Sequence, residues 1–274
     1  MISAIEEIDA NILHVSKAFS VQAEHFDSDE ESNRILIWMR AQVYHHEEEF
    51  LLPHCTILEL NAGTGIDAVH FAQNGHSVLA IDNAPGMIHQ LEKKISAYHL
   101  EDRIRPVLCS FTQLDTLPAE QFDHVFSNFG GLNCIPNLQD VVSQLPRLLK
   151  PGATVTFVIM PRVCPWEIAQ AFRGKFRFAF RRFSRNGTPA HIDGVRFLSY
   201  YYSPAQVKES FGNKFALVRL RGLASLSPPP YYGTFPVKHP RLYGLLSAWD
   251  ERCSSLSPLN KWADHFIITM KYQT

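Results

Sequence analysis

A doubly wound α/β fold with a seven-stranded, mostly parallel sheet is predicted by three features of this 274-residue chain. The first lies in residues 56–82. The short apolar run Thr56-Ile57-Leu58 ends on Glu59, and the glycine turn Asn61-Ala62-Gly63-Thr64-Gly65 follows. Ile66, Ala68, Val69, Phe71 and Ala72 then recur at helical spacing, and Gly75 closes that helix. Val78-Leu79-Ala80-Ile81 reads as a second buried strand tipped by Asp82, which completes a parallel βαβ unit. The second feature is the recurrence of buried-strand runs at residues 104–109, 122–128 and 153–160. The third is a pair of late strands, at 215–220 and 265–271.

The turn carries the first functional signal. Glycines are needed where a ligand approaches the backbone more closely than a Cβ allows. A carboxylate after the second strand suits a ribose, whose two hydroxyls donate to it. Gly63-Thr64-Gly65-Ile66-Asp67-Ala68 fits the dinucleotide pattern G-x-G-x-x-G/A, which is a weak signal alone. Glu59 near the end of the first strand would repel a pyrophosphate, and the unit begins after more than fifty residues. A cationic ligand fits this turn better.

The segment resembles the first motif of the class I S-adenosylmethionine-dependent methyltransferases, in which an acid precedes a Gly-x-Gly turn. Asn61 stands where that family most often has its first glycine. The resemblance spans residues 50–272 and is weakest over 161–235; Leu149-Lys150-Pro151-Gly152 before the fifth strand is also typical of the family. It implies S-adenosylmethionine as cofactor and a Rossmann-like methyltransferase fold, in which the C-terminal strand at 265–271 would be the seventh and antiparallel one. Glu59, Asn61, Ala62, Gly63 and Gly65 would line the methionine end, Asp82 would hold the ribose, and Asn83 or Met87 would lie on the adenine face. Where the family often has an acid toward the adenine amino group, this chain has Ser110-Phe111. Ligands of such sheets bind at the carboxyl ends of the strands where strand order reverses, so Asn128, Phe129 and Gly130 are expected to converge on Gly63 and Gly65.

Composition narrows the function classes. Lys plus Arg number 26 and Asp plus Glu 27, so no global attraction to nucleic acid is expected. Five scattered cysteines without C-x-x-C spacing fit reduced thiols in a cytoplasmic protein rather than disulfides or zinc. The acidic start lacks signal-peptide character, and no apolar run approaches the roughly 20 residues of a membrane span. Stable membrane insertion and a metal centre are therefore not expected, and the sequence is silent on oligomeric state.

Residues 1–50 read as helices with a turn at Phe26-Asp27-Ser28-Asp29, a second helix starting near the Ser32-Asn33 cap. By the resemblance this segment is a lid ahead of a methyltransferase domain at 51–274, with Phe26 and Arg40 in contact with cofactor or substrate. A pair of helices simply packed on the sheet is the competing reading. A helix is expected over 138–149, stopped by Lys150-Pro151-Gly152. Residues 161–235 read as a substrate-side insertion. Its basic aromatic stretch, residues 172–183, could grip an anionic or aromatic small molecule, lie on a membrane or stack on nucleic acid. It could equally pack its phenylalanines inward and leave its arginines solvated. Trp166, Tyr200, Tyr201, Tyr202 and Tyr231 are candidate substrate walls.

Methyl transfer from a sulfonium is an in-line displacement that asks chiefly for alignment and exclusion of water. An oxygen or nitrogen nucleophile can also need a base near neutrality. His191, beside Asp193, is the candidate, with a surface histidine as the plainer alternative. The reading is a methyltransferase acting on a small-molecule acceptor. An NAD(P)-linked oxidoreductase, a non-catalytic S-adenosylmethionine-binding protein and a nucleic-acid methyltransferase are the alternatives.

Overall fold

The computed structural model describes residues 4–273. Helices α1 (Ala4–Gln22), α2 (Phe26–Ser32) and α3 (Arg34–Glu47) precede β1 (Thr56–Leu60), α4 (Ile66–Gln73), β2 (Ser77–Asp82), α5 (Pro85–Tyr98) and β3 (Ile104–Leu108). Then come β4 (Phe122–Ser127), α6 (Gln139–Val142), β5 (Leu149–Ile159), α7 (Pro165–Ile168) and α8 (Phe176–Ala179). The hairpin β6 (Thr188–Ile192) and β7 (Val195–Ser199), helix α9 (Pro204–Phe211) and β8 (Phe215–Leu223) follow. Helices α10 (Phe235–Lys238) and α11 (Pro240–Cys253) lead to β9 (His265–Tyr272).

The main sheet has the order β3-β2-β1-β4-β5-β9-β8. Strands β1 to β5 pair in parallel, and β9 is antiparallel to both of its neighbours. The strand order reverses between β1 and β4, so the expected doubly wound topology and its switch point are both present. Residues 57–60, 78–81 and 124–127 are nearly all buried, as strands covered on two faces must be. One core cluster, with Leu58, Val125 and Phe157, fills one side of the sheet; another, with Ile57, Phe71 and Phe126, fills the other.

The N-terminal helices cover the carboxyl ends of the parallel strands. Asn11, Val15 and Ala18 form the buried stripe of α1. Asn11 donates to the carbonyls of Cys134 and Leu198, and its own oxygen accepts from Leu198 N. Ser16 donates to Asn83 O. Gly86 permits α1 to lie against α5, because a Cβ there would fall 2.4 Å from the Ser20 carbonyl. Gly86→Ala is therefore expected to cost about 1–3 kcal/mol, the range for overpacking a fitted contact. A thermal melt showing no loss would mean that α1 adjusts freely.

Local departures from the expected elements have local causes. The turn expected at residues 26–29 is the first turn of α2, where Asp27 and Asp29 favour a helix N-terminus; the bend lies at residues 23–25. Asn33 does cap α3, accepting from Ile35 N and Leu36 N. The helix expected over 138–149 shrinks to α6 plus a 3₁₀ turn at Leu145–Leu148, because Pro146 cannot continue an α-helix. Lys150-Pro151-Gly152 lies within β5 rather than ahead of it, and Leu149 already pairs with Phe122. The irregular stretch after residue 161 contains the β6–β7 hairpin, turned by Asp193 and Gly194, both at positive φ.

Candidate functional site

Three side chains at the switch point tie the strand exits together. Asn61 adopts a φ of 47°, a left-handed conformation that asparagine tolerates where most residues do not. Its side chain donates to Asn128 O and accepts from Ser127 Oγ, joining the exits of β1 and β4. Gly131 makes room for it, since a Cβ there would lie 2.3 Å from Asn61 Cγ. Asn133, fully buried, donates to the carbonyls of Met160 and Tyr200 and accepts from Met160 N, which fastens the β4 exit loop to the end of β5.

These loops and the N-terminal helices enclose a cavity of about 320 Å³. Its floor follows the sheet order: Asp82 and Asn83 at β2, Asn61 to Thr64 at β1, Asn128 and Phe129 at β4, Met160 after β5 and His265 at the start of β9. Its roof is Val15, Phe19 and Gln22 of α1, Phe26 and Glu30 of α2, and Leu36 and Arg40 of α3.

Asp82 has the geometry of a ribose acceptor. Its Oδ2 accepts from Gly63 N at 2.9 Å and its Oδ1 from Ala84 N at 2.8 Å. A carboxylate oxygen holds two acceptor sites, so one on each atom remains for a ligand hydroxyl. Burial pushes the Asp82 carboxyl above its ordinary pKa, against those backbone donors. Glu59 is only 1% exposed and its Oε2 has no partner. Burial first, and Asp67 next, push its carboxyl well above the ordinary range.

Asp67, on the first turn of α4, is the hub of a buried network. Its oxygens accept from Arg40, from Tyr44 at 2.7 Å and from Asn128 at 3.0 Å. Arg40 also grips Glu30 at 2.6 Å and stacks over Phe129 at 4.7 Å. Burial opposes the Arg40 charge, but Asp67 and then Glu30 overcome it and raise its pKa. A second roof contact runs through Asp27, which accepts from Thr64 and pairs with Lys94 at 2.7 Å. The roof is thus latched to α4 and α5 by ion pairs and to the turn after β1 by a hydrogen bond. The cavity wall carries the carboxyls of Glu30, Asp67 and Asp82 against the guanidinium of Arg40, with the Cys134 thiol and the His265 imidazole as its other ionisable groups, and this excess of carboxyls favours a cationic ligand over an anionic one.

Of the residues singled out from sequence, Asn61, Ala62, Gly63, Asp82, Asn83, Met87, Phe111, Asn128 and Phe129 stand on this wall with Phe26 and Arg40. Glu59, Gly65, Ser110 and Gly130 stand behind it. Gly65 packs on Leu91, which a Cβ would meet at 2.2 Å, and Ser110 bonds to Thr112. The candidate base His191 is corrected: alternation along β6 turns Ile192 to the cavity and leaves His191 exposed, while Asp193 binds His25 instead. The aromatic wall is also corrected. Trp166 donates to Leu226 O and packs on Tyr232 and Phe235. Tyr200 and Tyr202 belong to the core beneath the sheet, Tyr201 lies under Arg182, and Tyr231 stacks edge-on with Phe178. None of these five lines the cavity.

The basic aromatic stretch departs from the inward-phenylalanine reading, although Arg173 and Arg177 are exposed as that reading expects. Phe172, Phe176, Phe180 and Phe183 are exposed, whereas Arg182 is buried. Arg182 bridges Glu167 at 2.8 Å and Asp264 at 2.7 Å, and Arg181 closes on Glu167 from outside at 2.7 Å. Cys164, Glu167 and Asp264 cluster like metal ligands, but Arg182 occupies both carboxylates and burial raises the Cys164 thiol to about 12. Burial raises the cavity-lining thiol of Cys134 to about 12 as well, so it stays protonated and is no nucleophile.

Two of the wall residues that are not sequence candidates carry an unpartnered polar atom. Gln22 Oε1 and His265 Nε2 are buried without a hydrogen-bond partner. The other ring nitrogen of His265 bonds to Asp264 Oδ2 at 2.9 Å.

Residues 57–152 match the family described as a methyltransferase domain. Malonyl-[acyl-carrier protein] O-methyltransferase of Enterobacter lignolyticus is 28% identical over 146 residues, 51% of this chain and 53% of that protein. The Salmonella typhimurium protein of the same name is 26% identical over 141 residues, 48% of this chain and 52% of that one. The chain thus spans about half the length of the curated relatives it matches. Among solved structures, the 1,6-didemethyltoxoflavin-N1-methyltransferase of Burkholderia thailandensis superposes with a TM-score of 0.55 at 15% identity, covering 96% of this chain and 88% of its own. At that identity the likeness shows the fold. Strand order, glycine turn and sequence match agree on a methyltransferase domain over residues 57–152, and the chain has the fold of the S-adenosylmethionine-dependent methyltransferases.

Proposed function

We propose that the protein transfers a methyl group from S-adenosylmethionine to a small-molecule acceptor, at oxygen or nitrogen, inside the cavity under the N-terminal helices. The observation that carries this reading is the row of groups along the strand ends. Asp82 offers two open acceptor sites for ribose hydroxyls, and Met87 and Phe111 give apolar surface beside it for a base. Glu30 and Asp67 outnumber Arg40 nearer the middle, which suits a sulfonium and an ammonium. S-adenosylmethionine supplies an electrophilic methyl group when bound. The chain's own residues orient it, exclude water and leave the Met160–His265 end for the acceptor. A pyrophosphate would add negative charge to a wall already rich in carboxylates, which counts against NAD(P).

Calorimetric titration of the full chain is expected to give micromolar binding of S-adenosylmethionine and S-adenosylhomocysteine and none of NAD(P). Binding of NAD(P) alone would sink the reading. For the acceptor, labelled methyl groups from S-adenosylmethionine should enter the small-molecule fraction of a cell extract. Label confined to nucleic acid would refute a small acceptor.

A second reading is favoured by one surface. Phe172 and Phe176 are exposed among Arg173, Lys175 and Arg177, which suits an acidic carrier presenting a tethered acceptor. The curated relatives are named for a malonyl group on an acyl-carrier protein. Base-labile label on a small acidic protein would favour that reading over a free acceptor.

A further inference from the structure

We propose that His265 is the general base of the transfer, oriented by Asp264 and Arg182, and that the acceptor therefore carries a dissociable O–H or N–H. This rests on the methyltransferase reading and deepens it. His265 is 6% exposed and lines the cavity at its β5–β9 end, the end farthest along the sheet from the ribose acid Asp82. Its Nδ1 bonds to Asp264 Oδ2 at 2.9 Å, and its Nε2 has no partner. Asp264 is fixed in turn by Arg182, which donates to its Oδ1 at 2.7 Å and to its carbonyl at 2.8 Å. Arg182 is itself held by Glu167. The chain Glu167–Arg182–Asp264–His265 is continuous and buried, and it fixes one imidazole edge.

Its chemistry follows from the charge on Asp264. Burial pushes that carboxyl up, but His265 and Arg182 outweigh burial and hold it below its ordinary pKa. An ionised Asp264 accepts, so Nδ1 must donate, and neutral His265 then carries its lone pair on Nε2. A carboxylate holding an imidazole in one tautomer is the arrangement of the Ser-His-Asp triad, in which the histidine serves as base. In the transfer, an acceptor lone pair forms the bond to the methyl carbon as the carbon–sulfur bond breaks. That bonding pair passes to sulfur, which becomes a neutral thioether. The acceptor proton passes to Nε2, giving an imidazolium that Asp264 stabilises and that later releases the proton to water. Other charged groups around the ring are few. Phe129 packs edge-on at 5.8 Å with Arg40 over its ring, Asp67 and Glu30 bind that arginine, and Glu167 lies behind Arg182.

The test uses the full chain loaded with S-adenosylhomocysteine, together with His265→Gln and Asp264→Asn. Imidazole ¹⁵N spectra, which need no acceptor, should show neutral His265 protonated on Nδ1 and bare on Nε2, with that preference lost in Asp264→Asn. A proton fixed on Nε2 would overturn the proposal. With simple phenols and anilines as acceptor probes, His265→Gln should lower kcat by about 10²–10⁴-fold. It should also lose the rising limb of the pH profile and leave the KM for S-adenosylmethionine unchanged. Wild-type kcat and pH profile in the variant would overturn the proposal, as would turnover of benzoate with no turnover of phenols or anilines, since a carboxylate needs no base. Retained S-adenosylhomocysteine binding by His265→Gln separates these outcomes from failure of the cofactor reading, which would instead appear as absent binding in the wild type.

Discussion

Arg40→Leu is expected to lower the stability of the fold by about 3–5 kcal/mol, the cost of leaving buried carboxylates without their partner. Arg40 is the shared counter-charge of Asp67 and Glu30; Asp67 is buried, and the roof residues Arg40 and Glu30 are largely shielded from solvent. Leucine keeps much of the volume over Phe129 but supplies no charge. Asp67 would retain only its bonds from Tyr44 and Asn128. The pH dependence should change in a definite sense. Burial raises the Asp67 carboxyl, but Arg40 and the hydrogen bonds to it hold it below 3.8. A folded-state pKa below the unfolded value adds stability that is present above pH 3.8 and lost as pH falls through the depressed value. Glu30 moves the other way, because burial outweighs Arg40 there, so this acid limb belongs to Asp67. Denaturant unfolding of both proteins between neutral pH and pH 3 would show the wild type losing more than the variant. Equal losses would mean that the Arg40–Asp67 pair contributes nothing to folding.

The same cluster shows what could be read before the fold was known. The βαβ unit, the glycine turn and the ribose acid are local in sequence, so periodicity and turn chemistry exposed them directly. Asn61 could be noted as a departure from the glycine-rich pattern, but its reason is non-local: it answers to Ser127, Asn128 and Gly131, some seventy residues downstream. Arg40 was legible as a lid residue, whereas its partners Asp67 and Glu30 required the helices to be placed.

The misplaced base is the more instructive case. His191 was chosen because an acid stood two residues away, yet strand alternation turns it outward and Asp193 binds another element. The Asp193-Gly194 pair between two short β-prone runs is itself a hairpin signal, and reading it would have supplied that alternation. His265 was readable in principle. An antiparallel last strand begins where the parallel strands end, so its first residues lie at the ligand-binding edge of the sheet. Its support from Arg182 was not readable, because a run of arginines and phenylalanines gives no sign of which arginine turns inward.

Asp82→Ala is expected to weaken S-adenosylmethionine and S-adenosylhomocysteine binding by one to two orders of magnitude, equally for both. Hydrogen bonds to a charged group contribute about 1.5–3 kcal/mol, and alanine removes both remaining acceptor sites. The substitution also strips Gly63 N and Ala84 N of their partner. Those two donors hold the glycine turn and the start of α5, so some loss of stability should accompany the loss of affinity. A melting curve separates the two effects, since a protein still folded at the titration temperature reports binding alone. The two ligands share a ribose and differ at sulfur, so an Asp82 that acts through the hydroxyls must affect them alike. A loss confined to S-adenosylmethionine would mean that Asp82 acts as a distant charge on the sulfonium. Burial raises the Asp82 pKa, so affinity for either ligand should fall as pH drops through that raised value, where a proton competes for the oxygens. An affinity that stays constant while the protein remains folded in acid would remove Asp82 from the ribose site and leave the glycine turn to hold the nucleoside alone.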